Sequence, residues 1–107
     1  QVTKGHTLVI PKVHKENLFE LTPETSKNLF ESVPEIANAL KKEFSPLGLN
    51  LVNNNGEHAG QTVFHFHVHL IPRYGIGDGF GAVWKSNTSD YTQQTLQEMA
   101  ANINKHF

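Results

Sequence analysis

The chain has 107 residues, one domain's worth, enough to bury roughly two-thirds of the surface its unfolded form exposes. Nine Lys and Arg against ten Asp and Glu leave a net charge of −1, which excludes the basic face that nucleic-acid binding requires. No apolar run is long enough to span a membrane, and the absence of cysteine excludes disulfides and thiolate chemistry within the chain. That absence suits a reducing compartment, so a cytoplasmic location is expected. Seven histidines are the compositional anomaly. The sequence starts at Gln1 without an initiator methionine or targeting pattern, so a longer N-terminus is expected.

In chain order, Gly5-His6-Thr7-Leu8-Val9-Ile10-Pro11 has the β-branched content of a short strand opened by Gly and closed by Pro. A polar stretch follows from Lys12 to Glu20, with Leu18 and Phe19 as expected core plugs. Thr22-Pro23-Glu24 is a helix start: a hydroxyl cap, proline at the first helical position and an acid in the first turn. Leu29, Phe30, Val33, Ile36, Ala37, Leu40 and Phe44 then recur at three- and four-residue steps, predicting an amphipathic helix. Pro34 inside it predicts a kink or break, because its ring removes a donor and crowds the preceding turn. Ser45-Pro46-Leu47-Gly48 ends this helix.

Leu49 to Asn53 reads as a strand, Asn54 to Gly60 as a turn, and Gln61 to Pro72 as the strongest strand of the chain. Glycines at 75, 77, 79 and 81 make a loop able to take unusual backbone angles. Without a following Lys-Ser/Thr and helix, it reads as a connection, not a phosphate cradle. Ser89-Asp90 or Thr92 caps a final helix with the apolar face Leu96, Met99, Ala100, Ile103 and Phe107. One α+β domain over residues 1–107, with an antiparallel sheet, is expected.

The chemistry concentrates in the 61–72 segment. With a period of two, His65, His67 and His69 share one face, while Phe64, Phe66, Val68 and Leu70 share the other. Packing gives no reason for imidazole at all three positions. On an extended strand neighbouring members lie about 7 Å apart and the outer two about 13 Å. Two of them, such as His65 and His67, can share a metal ion, but three reach one ion only with strain. The other use is covalent and acid–base chemistry, for which imidazole titrates in the right range.

His65-Phe66-His67-Val68-His69-Leu70-Ile71 resembles the signature of the histidine triad (HIT) family of nucleotide-binding hydrolases, its bacterial Hint-like branch most closely. Gly5 to Lys12 with His14, and Asn53-Asn54-Asn55-Gly56 with Gly60-Gln61-Thr62-Val63, resemble the family's other blocks in the right order. The resemblance implies a HIT-like sheet with a long helix and a C-terminal helix. It also implies two-step displacement at the α-phosphate of a purine 5′-monophosphate derivative, of phosphoramidase type. In that scheme His67 attacks phosphorus and becomes nucleotidylated. His69 contacts the phosphate and protonates the leaving group, and His65 and His6 orient the cluster. Asn54, Gly60, Gln61, Thr62 and Val63 would bind the phosphate, with Thr62 standing where the family often has serine. A homodimer through the helix containing Leu29 to Phe44 is implied as well.

The N-terminal helix and hairpin that family members carry before the Gly5 block are missing from these residues, and with them the acidic ribose contact. No cofactor is implied for catalysis. A structural zinc, held in some bacterial relatives by Cys-x-x-Cys and two histidines that match His14 and His65, would need ligands from further N-terminal residues. Two alternatives stay open at this stage: a nucleotide- or partner-binding module with little turnover, and a metal-binding protein using the histidine row. Arg73, the only arginine, fits a surface role as well as a site role. His58 and His106 read as surface residues, and Trp84 as a packing or interface anchor.

Overall fold

Thr22 opens the long helix as its sequence demands. Its hydroxyl accepts a hydrogen bond from the Thr25 N–H, and Pro23 sits where its missing donor costs nothing. In the computed structural model, which describes residues 1–107, helix α1 runs Pro23–Phe44. The expected break at Pro34 is absent. Leu29 and Val33 before it and Leu40 after it are all buried in one core, so packing on both sides outweighs the lost bond. Ser45 ends α1 in the left-handed conformation, its N–H bonded to the Lys41 carbonyl at 3.0 Å.

Three strands form the sheet: β1 (Thr7–Val9), β2 (Gly48–Val52) and β3 (Val68–Arg73), in the order β1-β3-β2 and antiparallel throughout. The α+β expectation therefore holds. β3 is central, so Val68 and Leu70 are fully buried; with Phe66, Val9 and the α1 residues they make the core. Each such side chain contributes about 1.5–3 kcal/mol by leaving water. The register places Val9 opposite Val68, and Leu8 opposite His69 on the other face.

The strand expected over 61–72 is only half a strand. β1 and β2 stop at partners Val68 and His69, so residues 61–67 have no ladder to join and run as irregular chain with a bend at 63–65. Burial still alternates from His65 to Leu70, whereas Phe64, expected on the buried side, is 46% exposed. Leu18 and Phe19, expected as core plugs, are exposed in a single 3₁₀ turn, Leu18–Glu20.

Two tethers place the N-terminal segment across β3. Thr3 Oγ1 donates to the Pro72 carbonyl at 2.7 Å, and the Tyr74 hydroxyl donates to the Lys4 carbonyl at 2.7 Å. Gly5, at φ +85°, passes over the Phe44 ring, where an added Cβ would lie 2.7 Å from Cδ2. This crossing delivers His6 to the histidines of β3.

Arg73 has neither of the roles considered for it. Its guanidinium forks onto Asp78 (Nη2–Oδ1 2.8 Å, Nε–Oδ2 2.9 Å) and also donates to Asn50 Oδ1 and the Phe80 carbonyl. This hydrogen bonding holds the Asp78 carboxyl well below the usual carboxylate range. Arg73 thus folds the glycine loop back onto β2.

Beyond that loop the chain leaves the domain. Helix α2 (Gln93–Asn104), capped by Thr92 rather than Ser89-Asp90, buries none of its residues. Its apolar stripe of Leu96, Met99 and Ile103 is exposed, as is Trp84 at 87%. The radius of gyration, 17.0 Å, exceeds the about 13 Å of a compact 100-residue domain for this reason.

Candidate active site

The histidines form two groups rather than one row. His67 and His69 have ring centroids 4.9 Å apart, edge to face, and His6 lies 5.2 Å from His69. His65 turns the other way and meets His14, their Nδ1 atoms 3.1 Å apart.

Each ring's tautomer follows from its partners. A carbonyl can only accept, so His67 Nδ1, 2.7 Å from the His65 carbonyl, carries the proton. His67 Nε2 then keeps its lone pair, which a nucleophile needs. The Val2 N–H donates to His6 Nδ1 at 3.1 Å, so neutral His6 carries its proton on Nε2 and donates to His69 Nδ1 at 2.9 Å. Neutral His69 therefore presents an Nε2–H. A lone pair on His67 beside an N–H on His69 is the pairing that attack on phosphorus requires.

Burial lowers the His69 pKa below its ordinary 6.5, with the charges of His67 and His6 adding to the effect, and burial lowers that of His6 as well. Both rings are thus held neutral at pH 7. An unfolded chain binds those protons more readily, so this contribution to stability is complete above about pH 6.5 and lost as pH falls below it.

Residues 53–63 form the adjoining turn. Gly60, at φ +89°, ends a 3₁₀ turn over Glu57–Ala59, and the Asn54 side chain lies beside it. Every donor of Gln61 is engaged within the chain: its N–H on the Gly56 carbonyl, its Nε2 on the Glu16 and Val63 carbonyls. Gln61 therefore shapes the turn. Thr62 and Val63 are exposed on its rim, and Asn54 is half-buried. Against the histidines lies a cleft of about 260 Å³ lined by Leu8, Ile10, Val63, His65 and His67. A larger one, about 350 Å³, lies between the end of β1 and α1 and contains no histidine, so the chemistry points to the smaller.

The His14–His65 pair has the reach of two metal ligands. Their separation is close to the about 3.3 Å edge of a tetrahedral zinc site, and His65 Nε2, 3.0 Å from the Pro11 carbonyl, leaves Nδ1 as the free lone pair. No third His, Asp or Glu joins them. The chain's own residues thus fit half of such a site.

The HIT domain profile matches residues 2–76, the span holding all these groups. The chain belongs to the HIT family. It is 61% identical over 105 residues to the "Protein hit" of Bacillus subtilis, covering 98% of this chain and 72% of that protein. The crystal structure of a HIT family protein from Bacillus anthracis superposes with a TM-score of 0.97 at 65% identity, covering all of this chain and 76% of that one. A more distant relative is the adenylylsulfatase HINT3 of Arabidopsis thaliana, 43% identical over 72 residues, 67% of this chain and 36% of that protein. The family is one of nucleotide-binding, hydrolase-like proteins. The chain is compatible with the Hint-like branch of the family, and its profile match ends at Ile76, while the Bacillus anthracis structure superposes over the whole chain, the exposed arm included.

Sequence reasoning missed the residues that build the site without lining it. His14 as the partner of His65 was legible from the family block. Asn53 and Asn55 were not, because their partners, the His67 carbonyl and the Leu18 N–H, lie on segments that only the fold brings close.

Proposed function

We propose that this HIT domain is a cytoplasmic nucleotide hydrolase acting at the α-phosphate of an adenosine or other purine 5′-monophosphate derivative, of phosphoramidase type. The observation that carries this reading is the complementary pair of tautomers, a lone pair on His67 Nε2 beside an N–H on His69. His67 Nε2 attacks phosphorus as the bond to the leaving nitrogen or oxygen breaks, and the leaving group takes a proton as it departs. Water then displaces His67 from the nucleotidyl-enzyme and releases the nucleoside monophosphate. Asn54 and the N–H groups of Thr62 and Val63 stabilise charge on the phosphate oxygens, and Leu8, Ile10 and Val63 offer an apolar wall to the base. The name of the Arabidopsis relative, an adenylylsulfatase, supports a substrate with a leaving group on an adenylate. No cofactor takes part.

The test is to mix the protein with adenosine 5′-phosphoramidate, quench within one turnover, and map modified peptides by mass spectrometry. Adenylyl on His67 is the expected result. Turnover without it would overturn the covalent route, and binding without turnover would leave a nucleotide-binding module.

The same reading includes a homodimer. The chain exposes 8310 Å², about 2,300 Å² more than the about 6,000 Å² of a compact monomer of its mass. That excess is the size of an obligate interface. Phe30 on α1, Leu47, Leu49 and Leu51 at the open edge of β2, and Trp84 on the arm are the exposed apolar residues it would cover. Sedimentation equilibrium at micromolar concentration is expected to give twice the chain mass; a well-behaved monomer would count against the interface.

A further inference from the structure

The β2–β3 ladder closes at the pair Val52 and His69; continued, its register would set Asn53 against Val68 and Asn54 against His67, and neither pair forms. A side chain takes over at that step. Asn53 Nδ2 donates to the His67 carbonyl at 2.9 Å, tying the two segments together just beyond the last ladder pair. Asn53 Oδ1 accepts from Asn55 Nδ2, and Asn55 Oδ1 accepts from the Leu18 N–H at 2.7 Å. Two asparagine side chains thus connect the backbone of the 16–18 turn to the peptide group of the proposed nucleophile. The only other backbone tie on this stretch is the Phe66 N–H to the Lys15 carbonyl at 2.6 Å.

We propose that Asn53 is a positioning residue for His67, with Asn55 orienting its amide, while Asn54 between them stays free to meet substrate. The inference rests on the reading of His67 as nucleophile. The imidazole is held at Nδ1 by the His65 carbonyl, so its aim depends on the backbone from 65 to 67, which no strand fixes. Asn53 supplies the missing constraint. The chemistry requires an amide at both positions. A carboxylate at 53 keeps the acceptor that Asn55 needs but faces the His67 carbonyl with a second acceptor; at 55 it keeps the acceptor for Leu18 but loses the donor to Asn53.

The test uses the isosteric variants Asn53→Asp and Asn55→Asp, read by single-turnover nucleotidylation of His67, by kcat and KM, and by the imidazole Nδ1–H NMR signal of His67. An aim error of about 1 Å costs up to about 10²-fold. Asn53→Asp is therefore expected to lose 10- to 100-fold in the nucleotidylation rate and kcat, with KM within about threefold and the Nδ1–H signal displaced. Asn55→Asp is expected to lose about three- to tenfold in the same parameters. Wild-type kcat in Asn53→Asp, or equal losses through KM alone, would overturn the proposal. If Asn53→Asp does not fold, Asn55→Asp decides by the same criterion. A wild-type protein that forms no nucleotidyl-His67 while the NMR signal still moves in Asn53→Asp refutes the nucleophile reading and retains the positioning one; an unmoved signal refutes the positioning.

Discussion

Replacing His67 by asparagine is expected to lower kcat by between about 10⁴- and 10⁶-fold while purine nucleotide affinity stays within about tenfold. The asymmetry follows from the geometry. Asparagine keeps a polar side chain of similar reach that can still donate to the His65 carbonyl, which His67 Nδ1 now engages at 2.7 Å. It provides no basic nitrogen to attack phosphorus. The groups proposed to hold the phosphate (Asn54, Thr62, Val63 and His69) and the apolar wall of Leu8 and Ile10 do not depend on the substituted ring. Steady-state assays on a phosphoramidate, paired with calorimetric titration of the nucleoside monophosphate, check both halves. Full activity in the purified variant would remove His67 from the nucleophile's role.

The parts of the fold that were legible in the sequence are those whose signal is local. Helix α1 follows from a cap, a proline at the first position and a 3.6-residue period, all contained in one segment. Pro34 was misleading because propensity is outweighed when residues on both sides are buried in one core. Strand β3 is shorter than the sequence predicts for a different reason. Alternating burial at His65 to Leu70 reports which side faces α1, whereas a ladder needs neighbours, and these end at Val9 and Val52. Leu18 and Phe19 illustrate that apolar residues are not obliged to be inside.

At the site, the residues with intrinsic reactivity were visible and those that orient them were not. The triad announces itself by composition. That His65 pairs with His14 while His69 pairs with His6 depends on where two distant segments cross β3. In the run Asn53-Asn54-Asn55 nothing local distinguishes the two structural amides from the free one. Arg73 and Asp78 lie five residues apart across glycines, a spacing that only a folded loop brings together.

The substitution His69→Ala separates acid catalysis from phosphate positioning, because its effect should depend on what leaves. An amine or alkoxide must gain a proton as its bond to phosphorus breaks, and general acid catalysis is worth about 10²- to 10⁴-fold. His69→Ala is expected to lose that much in kcat/KM on an amine phosphoramidate. On a nitrophenyl ester the loss should be smaller, since that group departs without a proton and only electrostatic support is removed. The pH dependence gives an independent check. Burial keeps His69 below 6.5, so acid catalysis draws on a minor imidazolium fraction at pH 7 that grows as pH falls. Taking the ratio of the two substrates isolates the leaving group's proton, because the same His67 nitrogen attacks both. In wild type the amine-to-aryl ratio should rise as pH falls from 8 toward 6.5, and in His69→Ala it should be flat. Equal losses on both substrates, with a flat ratio in wild type, would mean that the His69 Nε2–H only holds the phosphate. The proton would then have to come from Thr62, His65 or water.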